Sequence, residues 1–207
     1  MKISLSNLGK RYNREWIFRH LQFDFDSNQR YAITGSNGSG KSTLMQILAG
    51  LIHHNEGTIH HLLNGETIAA EKVYQFVSFT APYVDMPDEF SFEELLLFHF
   101  QFKPIVDSKT VKELIELSGL AKSAQKQIRF YSSGMKQRAR LVLSLFSDTP
   151  LLLLDEPCTN LDASGIKWYH DLLSTVSNKR LLVISSNDPQ EYVTCDQILS
   201  IEDFKRF

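Results

Sequence analysis

The sequence predicts an α/β fold: a mainly parallel sheet with helices on its faces, an antiparallel β subdomain at the N-terminus and an inserted α-helical subdomain. Three observations predict it. Two early segments alternate apolar and polar residues. Short apolar runs then alternate with stretches of helical period, the pattern of parallel strands joined by crossover helices. Between them, from about residue 80 to about 130, the chain turns helical.

The elements follow in order. KISLSNL (Lys2 to Leu8) and WIFRHLQFDF (Trp16 to Phe25) read as half-buried antiparallel strands. RYAIT (Arg30 to Thr34) is a short strand entering a glycine-rich turn. Leu44, Ile47 and Leu48 give Lys41 to Ala49 a helical period, and Gly50 stops it. GTIHHL and KVYQFVSF are read as further strands. Pro82 and Pro87 then precede SFEELLLFHFQF, where Ser91 and Glu94 have the spacing of a capping box. DSKTVKELIELSGL is a second helix, with Asp107 or Ser108 as its cap and Gly119 as its end. The α/β pattern resumes with a helix from Gly134 to Phe146, a buried strand from Leu151 to Leu154, a helix from Asp162 to Val176 and a strand from Arg180 to Ser185.

The chain has 207 residues, with 22 Lys and Arg against 24 Asp and Glu. That length is one or two domains on a prior of roughly 150 residues each, and the reading is a single domain over 1–207. A net charge of -2 excludes a strongly basic surface built for nucleic acid, so no nucleic-acid partner is expected. Cys158 and Cys195 are too few for a disulfide framework and suit a reduced compartment. The N-terminus lacks the apolar core of a signal peptide. The most apolar stretch, Leu141 to Leu154, is broken by Asp148 and Pro150 and falls short of the about 18 residues a membrane span needs.

The sharpest chemical signal is GSNGSGKS, residues Gly35, Ser36, Asn37, Gly38, Ser39, Gly40, Lys41 and Ser42, followed by Thr43. It fits the phosphate-binding P-loop pattern and lies between a strand and a helix, as that pattern requires. Backbone N–H groups must wrap the phosphates, and glycine leaves them room. Lys41 can bridge β- and γ-phosphates, and the Ser42 hydroxyl can bind Mg²⁺. A merely flexible glycine loop is the alternative, and the strand–loop–helix context speaks against it.

A second signal is LLLLDEP, Leu151 to Pro157, which places Asp155 and Glu156 at the C-terminal end of a buried strand. Asp155 would hold Mg²⁺, directly or through water, and Glu156 would orient or deprotonate an attacking water. A third is YSSGMKQR, Tyr131 to Arg138, a serine–glycine turn at a helix N-terminus. Alone it would be an ordinary cap on Ser132 or Ser133.

Together these motifs, with TNLD (Thr159 to Asp162) after the acidic pair, resemble the ATP-binding subunit of ABC transporters over nearly the whole chain. The resemblance sharpens the fold to a P-loop NTPase core. It implies an ATPase that dimerises with a second copy or a paralogous subunit. Two ATP molecules, with Mg²⁺, would lie between P-loop and partner signature, and dimerisation would drive transport through a separate permease. The place implied is the cytoplasmic face of the inner (plasma) membrane, held there by the permease. Ser132, Ser133, Gly134 and Met135 fall on the signature acting in trans, and Asp162 falls on the D-loop. The adenine-stacking aromatic falls on Tyr12, with Trp16 as the substitute. The permease would dock on Thr80 to Phe102, through Tyr83, Met86, Phe90 and Phe92.

This chain departs from the pattern at three points. The signature reads YSSGM where the family usually has LSGGQ. The family's glutamine after the strand ending near Phe79 is replaced by Thr80 or Ala81, and Thr80 is the residue that could reach a metal-bound water. The family's histidine after LLVIS is replaced by Asn187, which can donate a hydrogen bond but carries no charge. Asn187 with Lys41 and Glu156 completes the catalytic set, and its neutrality predicts reduced turnover. Two alternatives follow: a slow or regulatory nucleotide-binding subunit, and a soluble ABC ATPase outside transport.

Two further groups are read as structural. His53, His54, His60 and His61 form adjacent pairs whose side chains point apart. Cys158 follows the acidic pair with no histidine base to activate it.

Overall fold

Alternating apolar side chains fold the start of the chain into an antiparallel sheet. The computed structural model describes residues 1–175 and 180–205. The chain divides into two units. The first comprises Met1–Phe79, Pro150–Glu156 and the described residues of 178–207. It contains β1 (Lys2–Tyr12), β2 (Glu15–Asp26), β3 (Arg30–Thr34), α1 (Lys41–Leu48), β4 (Glu56–Leu63), β5 (Glu66–Ile68), β6 (Val77–Thr80, whose last residue belongs to the second unit), β7 (Leu151–Asp155), β8 (Leu181–Ser185) and β9 (Gln197–Ser200).

Two sheets result, in the orders β2-β1-β4-β5 and β6-β7-β8-β3-β9. The first is antiparallel, with Leu5 opposite Phe23 on β2 and Ile59 on β4. In the second, β7 pairs with β8, and β3 pairs with both β8 and β9, all parallel. Leu151 to Asp155 and Leu181 to Ser185 are buried throughout, as strands covered on both faces must be. Ile3, Leu5, Phe25, Tyr31, Leu44, Leu153 and Val183 belong to one core. Each fully buried leucine there contributes about 2 kcal/mol.

Several expectations need correction here. KVYQFVSF is a strand only from Val77; Ala70–Gln75 is a 3-10 helix. Val73 is the buried residue of that helix, and residues three apart share a side in a 3-10 helix but lie on opposite faces of a strand. The strands β5 and β9 were not expected. Asn64 and Gly65 have φ of 54° and 86°, so the β4–β5 hairpin turns through residues that tolerate left-handed backbone.

The second unit comprises Thr80–Thr149 and 157–177, of which 176 and 177 lie outside the described residues. The sequence reading set the helical insertion at about 80–130. This unit carries α2 (Phe92–His99), α3 (Val111–Ser118), α4 (Ser133–Phe146) and α5 (Ala163–Thr175). The Ser91–Glu94 capping box is present. The cap of α3 is Thr110 with Glu113, not Asp107 or Ser108, which lie in a preceding turn with φ of 57° and 53°. Gly119 ends α3 at φ 71°. Val176, the expected end of α5, lies outside the described residues. Phe92 is fully buried, so it is removed from the expected docking surface, whereas Tyr83 is exposed. Phe90, Phe98 and Phe102 form an aromatic row with ring centroids 5.5 and 5.2 Å apart. Among the described residues no helix is long and apolar enough to cross a membrane.

Candidate functional site

Parallel pairing brings three strand ends to one edge of the second sheet. Asp155 lies beside Ser185, and Ser185 beside Ile33. The Glu156 N–H donates to the Ser185 carbonyl at 2.8 Å, and the Ser186 N–H donates to the Ile33 carbonyl at 3.1 Å. The loop after β3, the acidic pair at the end of β7 and Asn187 after β8 are thereby gathered at the edge where open α/β sheets hold ligands.

There a cleft of about 210 Å³ is lined by Asn37, Gly38, Ser39, Gly40, Lys41, Ser42, Thr43, Glu156 and Ile17. Gly40 precedes α1 at φ 109°, with no side-chain cap and no acid in the helix's first turn. The first N–H groups of a helix have no partner within it, so this end is open to an anion. A Cβ on Gly40 would lie 2.4 Å from Ile17 Cγ2, so only glycine fits. Lys41 is buried, and its Nζ donates to the carbonyls of Gly35 (2.9 Å) and Ser36 (3.2 Å). The Ser36 N–H donates to the Glu202 carboxylate at 2.8 Å, which holds Glu202 below the usual carboxylate range. Asn187 Nδ2 donates to Asn37 Oδ1 at 3.0 Å, so Asn187 meets the loop through a side chain. Asp155 is fully buried at the end of β7.

Tyr12 ends β1 half-exposed, with Lys10 Nζ 4.8 Å from its ring centroid. Trp16 is already covered by two guanidinium groups, Arg19 at 4.5 Å and Arg11 at 5.5 Å.

In the second unit, Ser132 caps α4 by accepting the Met135 N–H at 3.3 Å. Ser132 and Ser133 are exposed, and Gly134 and Met135 partly so. A Cβ on Gly134 would come 2.9 Å from the Asn160 carbonyl, so this turn and the TNLD segment approach backbone to backbone. The Asp162 carboxylate accepts the Gly165 N–H (2.7 Å) and the Ser164 hydroxyl (2.8 Å), which hold it well below its ordinary range. Thr80 is buried, with its hydroxyl donating to the Arg140 carbonyl at 3.2 Å.

A family model described as ABC transporter matches residues 18–159. The chain belongs to the ABC transporter family. It is similar to the Nod factor export ATP-binding protein I of Burkholderia lata, 30% identical over 99% of this chain and 69% of that one. It is also similar to the cytochrome c biogenesis ATP-binding export protein CcmA of Xylella fastidiosa, 33% identical over 77% of this chain and 74% of that one. The dimeric structure of a bacterial ABC transporter cassette shares the fold, with a TM-score of 0.81 and 20% identity over 96% of this chain and 93% of that one.

Sequence reasoning about this ABC transporter chain missed Ile17 and Glu202. Both reach the loop across long stretches of chain and carry no local signal. His60 and His61 are placed apart: His61 is buried with Nε2 donating to the Leu48 carbonyl at 2.8 Å, while His60 is exposed. Among the described residues no group of three or more His, Cys, Asp or Glu could hold a metal. Cys158 is buried, and burial pushes the Cys195 thiol up to about 12.

Proposed function

We propose that this chain binds and hydrolyses ATP as the nucleotide-binding subunit of an ABC transporter. ATP-driven dimerisation would power a separate permease at the cytoplasmic face of the plasma membrane. The cleft at the strand edge, with an uncapped helix N-terminus opposite Glu156, carries the reading. Gly38, Gly40, Lys41, Ser42 and Thr43 receive the phosphates through their N–H groups. Lys41 exchanges the Gly35 and Ser36 carbonyls for phosphate oxygens. Tyr12 stacks on adenine, because its exposed ring meets one cation, Lys10, where the ring of Trp16 meets two guanidinium groups.

The Ser42 hydroxyl and the Asp155 carboxylate are hard oxygen donors of the kind Mg²⁺ takes; they would hold the ion, which neutralises phosphate charge. Glu156 orients the attacking water and accepts its proton. The water oxygen bonds to the γ-phosphorus as that atom's bond to the β–γ bridging oxygen breaks, giving ADP and phosphate. In the dimer, Ser132 offers its hydroxyl hydrogen to the partner's γ-phosphate, since the cap uses only its lone pair. Gly134 adds an N–H, and Ser133, Met135 and Asp162 line the same interface. The exposed aromatic row by Phe98 and Phe102, with Tyr83, would receive the permease.

A second reading, a slow or regulatory subunit, is favoured by Asn187, whose neutral amide is bonded to Asn37.

One set of assays on purified protein tests both. Lys41→Ala is expected to lose ATP affinity by about tenfold or more, since charge-assisted contacts are the strong ones. Glu156→Gln should keep affinity and lower turnover by about 10²–10³. Asn187→His raises turnover if the missing charge limits it. A wild-type protein that binds no ATP, or a Lys41→Ala variant that binds it normally, overturns the function.

A further inference from the structure

Gln137 and Arg140 stand three residues apart on α4 and so share a face. Gln137 is completely buried, and a buried amide must find partners. Its Nε2 donates to the Pro157 carbonyl at 2.7 Å, and its Oε1 accepts from Arg140 Nη1 at 3.4 Å. The same guanidinium donates Nε to the Val84 carbonyl at 2.8 Å, and the Arg140 carbonyl accepts the Thr80 hydroxyl. A continuous row of hydrogen bonds therefore runs from the Thr80–Val84 segment through Arg140 and Gln137 to Pro157.

Pro157 follows Glu156 in the chain. Glu156 has φ 45°, a left-handed backbone that costs a non-glycine residue energy and persists only where its surroundings hold it. On its N-terminal side the hold is its N–H on the Ser185 carbonyl. On its C-terminal side Pro157 has a fixed φ and no N–H of its own, so its carbonyl is the handle. Gln137 grips that handle.

We propose that Gln137 is a positioning residue for Glu156, and that Arg140 couples it to the Thr80–Val84 segment. This rests on the hydrolytic role given to Glu156. Freed from Gln137, the Glu156–Pro157 peptide relaxes from its left-handed form and the carboxylate leaves the line of attack. The binding loop, which makes none of these bonds, is unaffected. Misplacement by about 1 Å can cost about 10² in rate.

The test is ATP turnover and ATP affinity of the full chain. Gln137→Met is expected to lower kcat by about 10–100-fold and change ATP affinity by less than about threefold. Gln137→Glu, which still accepts from Arg140 but cannot donate to Pro157, should fall as far. Arg140→Met should lower kcat less, and the double variant Gln137→Met/Arg140→Met should be no slower than Gln137→Met alone, because the two bonds act in series. Multiplying losses, turnover of Gln137→Met within about twofold of wild type, or equal losses in affinity and kcat overturn the inference. If Gln137→Met does not fold, the half-buried Arg140 decides alone: Arg140→Met with unchanged kcat overturns it. Wild-type turnover that Glu156→Gln abolishes is the reference. Its absence sinks the proposed function and this inference together, whereas its presence with an indifferent Gln137→Met sinks the inference only.

Discussion

The helix starts of the two units are built on opposite plans. Among the described residues of the second unit, every α-helix opens on a side chain that accepts one of its first N–H groups: Ser91 for α2, Thr110 for α3, Ser132 for α4 and Asp162 for α5. In the first unit α1 opens on Gly40, with no side-chain cap and no acid in its first turn. A cap is worth about 1 kcal/mol, so leaving α1 bare forgoes stability that the same chain takes elsewhere. In the proposed function, the donors left without a side-chain cap at α1 are those that receive phosphate, whereas the caps of the second unit serve the helices themselves. Under the proposed function Ser132 would serve both purposes, because a hydroxyl can accept from its own helix and still donate outward.

The largest expected effect breaks the bare end. Gly40→Val would place a branched side chain where even a Cβ lies 2.4 Å from Ile17 and the backbone is left-handed. ATP affinity should fall by about 100-fold or more, the cost of losing charge-assisted donors. The urea midpoint should move by less than in a core truncation, because the loop lies at the rim of the sheet. Isothermal titration and urea unfolding check both, and retained affinity would show that α1's open end is not where phosphate binds.

The plan of the first unit was largely legible. RYAIT is β3 residue for residue, Asn37 to Ser42 of GSNGSGKS line the cleft, and Asp155 and Glu156 sit at the strand end that buried leucines predict. Motifs of that kind are local, because the backbone geometry that wraps phosphate needs glycines at fixed spacing within one short segment. The second unit was less legible. The T-x-x-E of Thr110 and Glu113 is the same capping signal that identified Ser91, yet Asp107 and Ser108 drew the reading away because acids and serines also favour turns. Nothing local could have revealed Gln137 or Glu202. Each works through a partner distant in sequence, Pro157 and Ser36, and such pairings exist only after folding.

A middle-sized effect tests whether the second unit's polar groups are structural. His99 is mostly buried, its Nε2 bonded to Ser147 Oγ at 2.8 Å, and burial with the nearby Lys103 pushes it down to about 4. The folded value lies below the ordinary 6.5, so between the two the unfolded chain binds a proton that the folded one refuses. Stability is therefore full above about pH 6.5, falls as pH drops through that value, and stops falling near pH 4, a loss on the order of 3 kcal/mol. His99→Gln, which can still donate to Ser147, should flatten that slope in urea unfolding at pH 7 and pH 4.5. An unchanged slope would assign the acid sensitivity to other groups.

The smallest effect separates the two duties of a cap. Thr110→Ala and Ser132→Ala each remove one side-chain acceptor from a helix start, and each should cost about 1 kcal/mol in urea unfolding. Their consequences for assembly should differ. The Thr110 hydroxyl is bonded within its own helix, donating to the Glu113 carboxylate and accepting the Glu113 N–H, so its loss should leave ATP-driven dimerisation intact. Ser132→Ala also removes the hydroxyl hydrogen offered to the partner's nucleotide. In a Glu156→Gln background, where bound ATP is not consumed, size-exclusion chromatography with ATP should show dimer for Thr110→Ala and mainly monomer for Ser132→Ala. Equal dimer in both would make Ser132 a cap like the other three. The contrast between bare and filled helix ends would then rest on α1 alone.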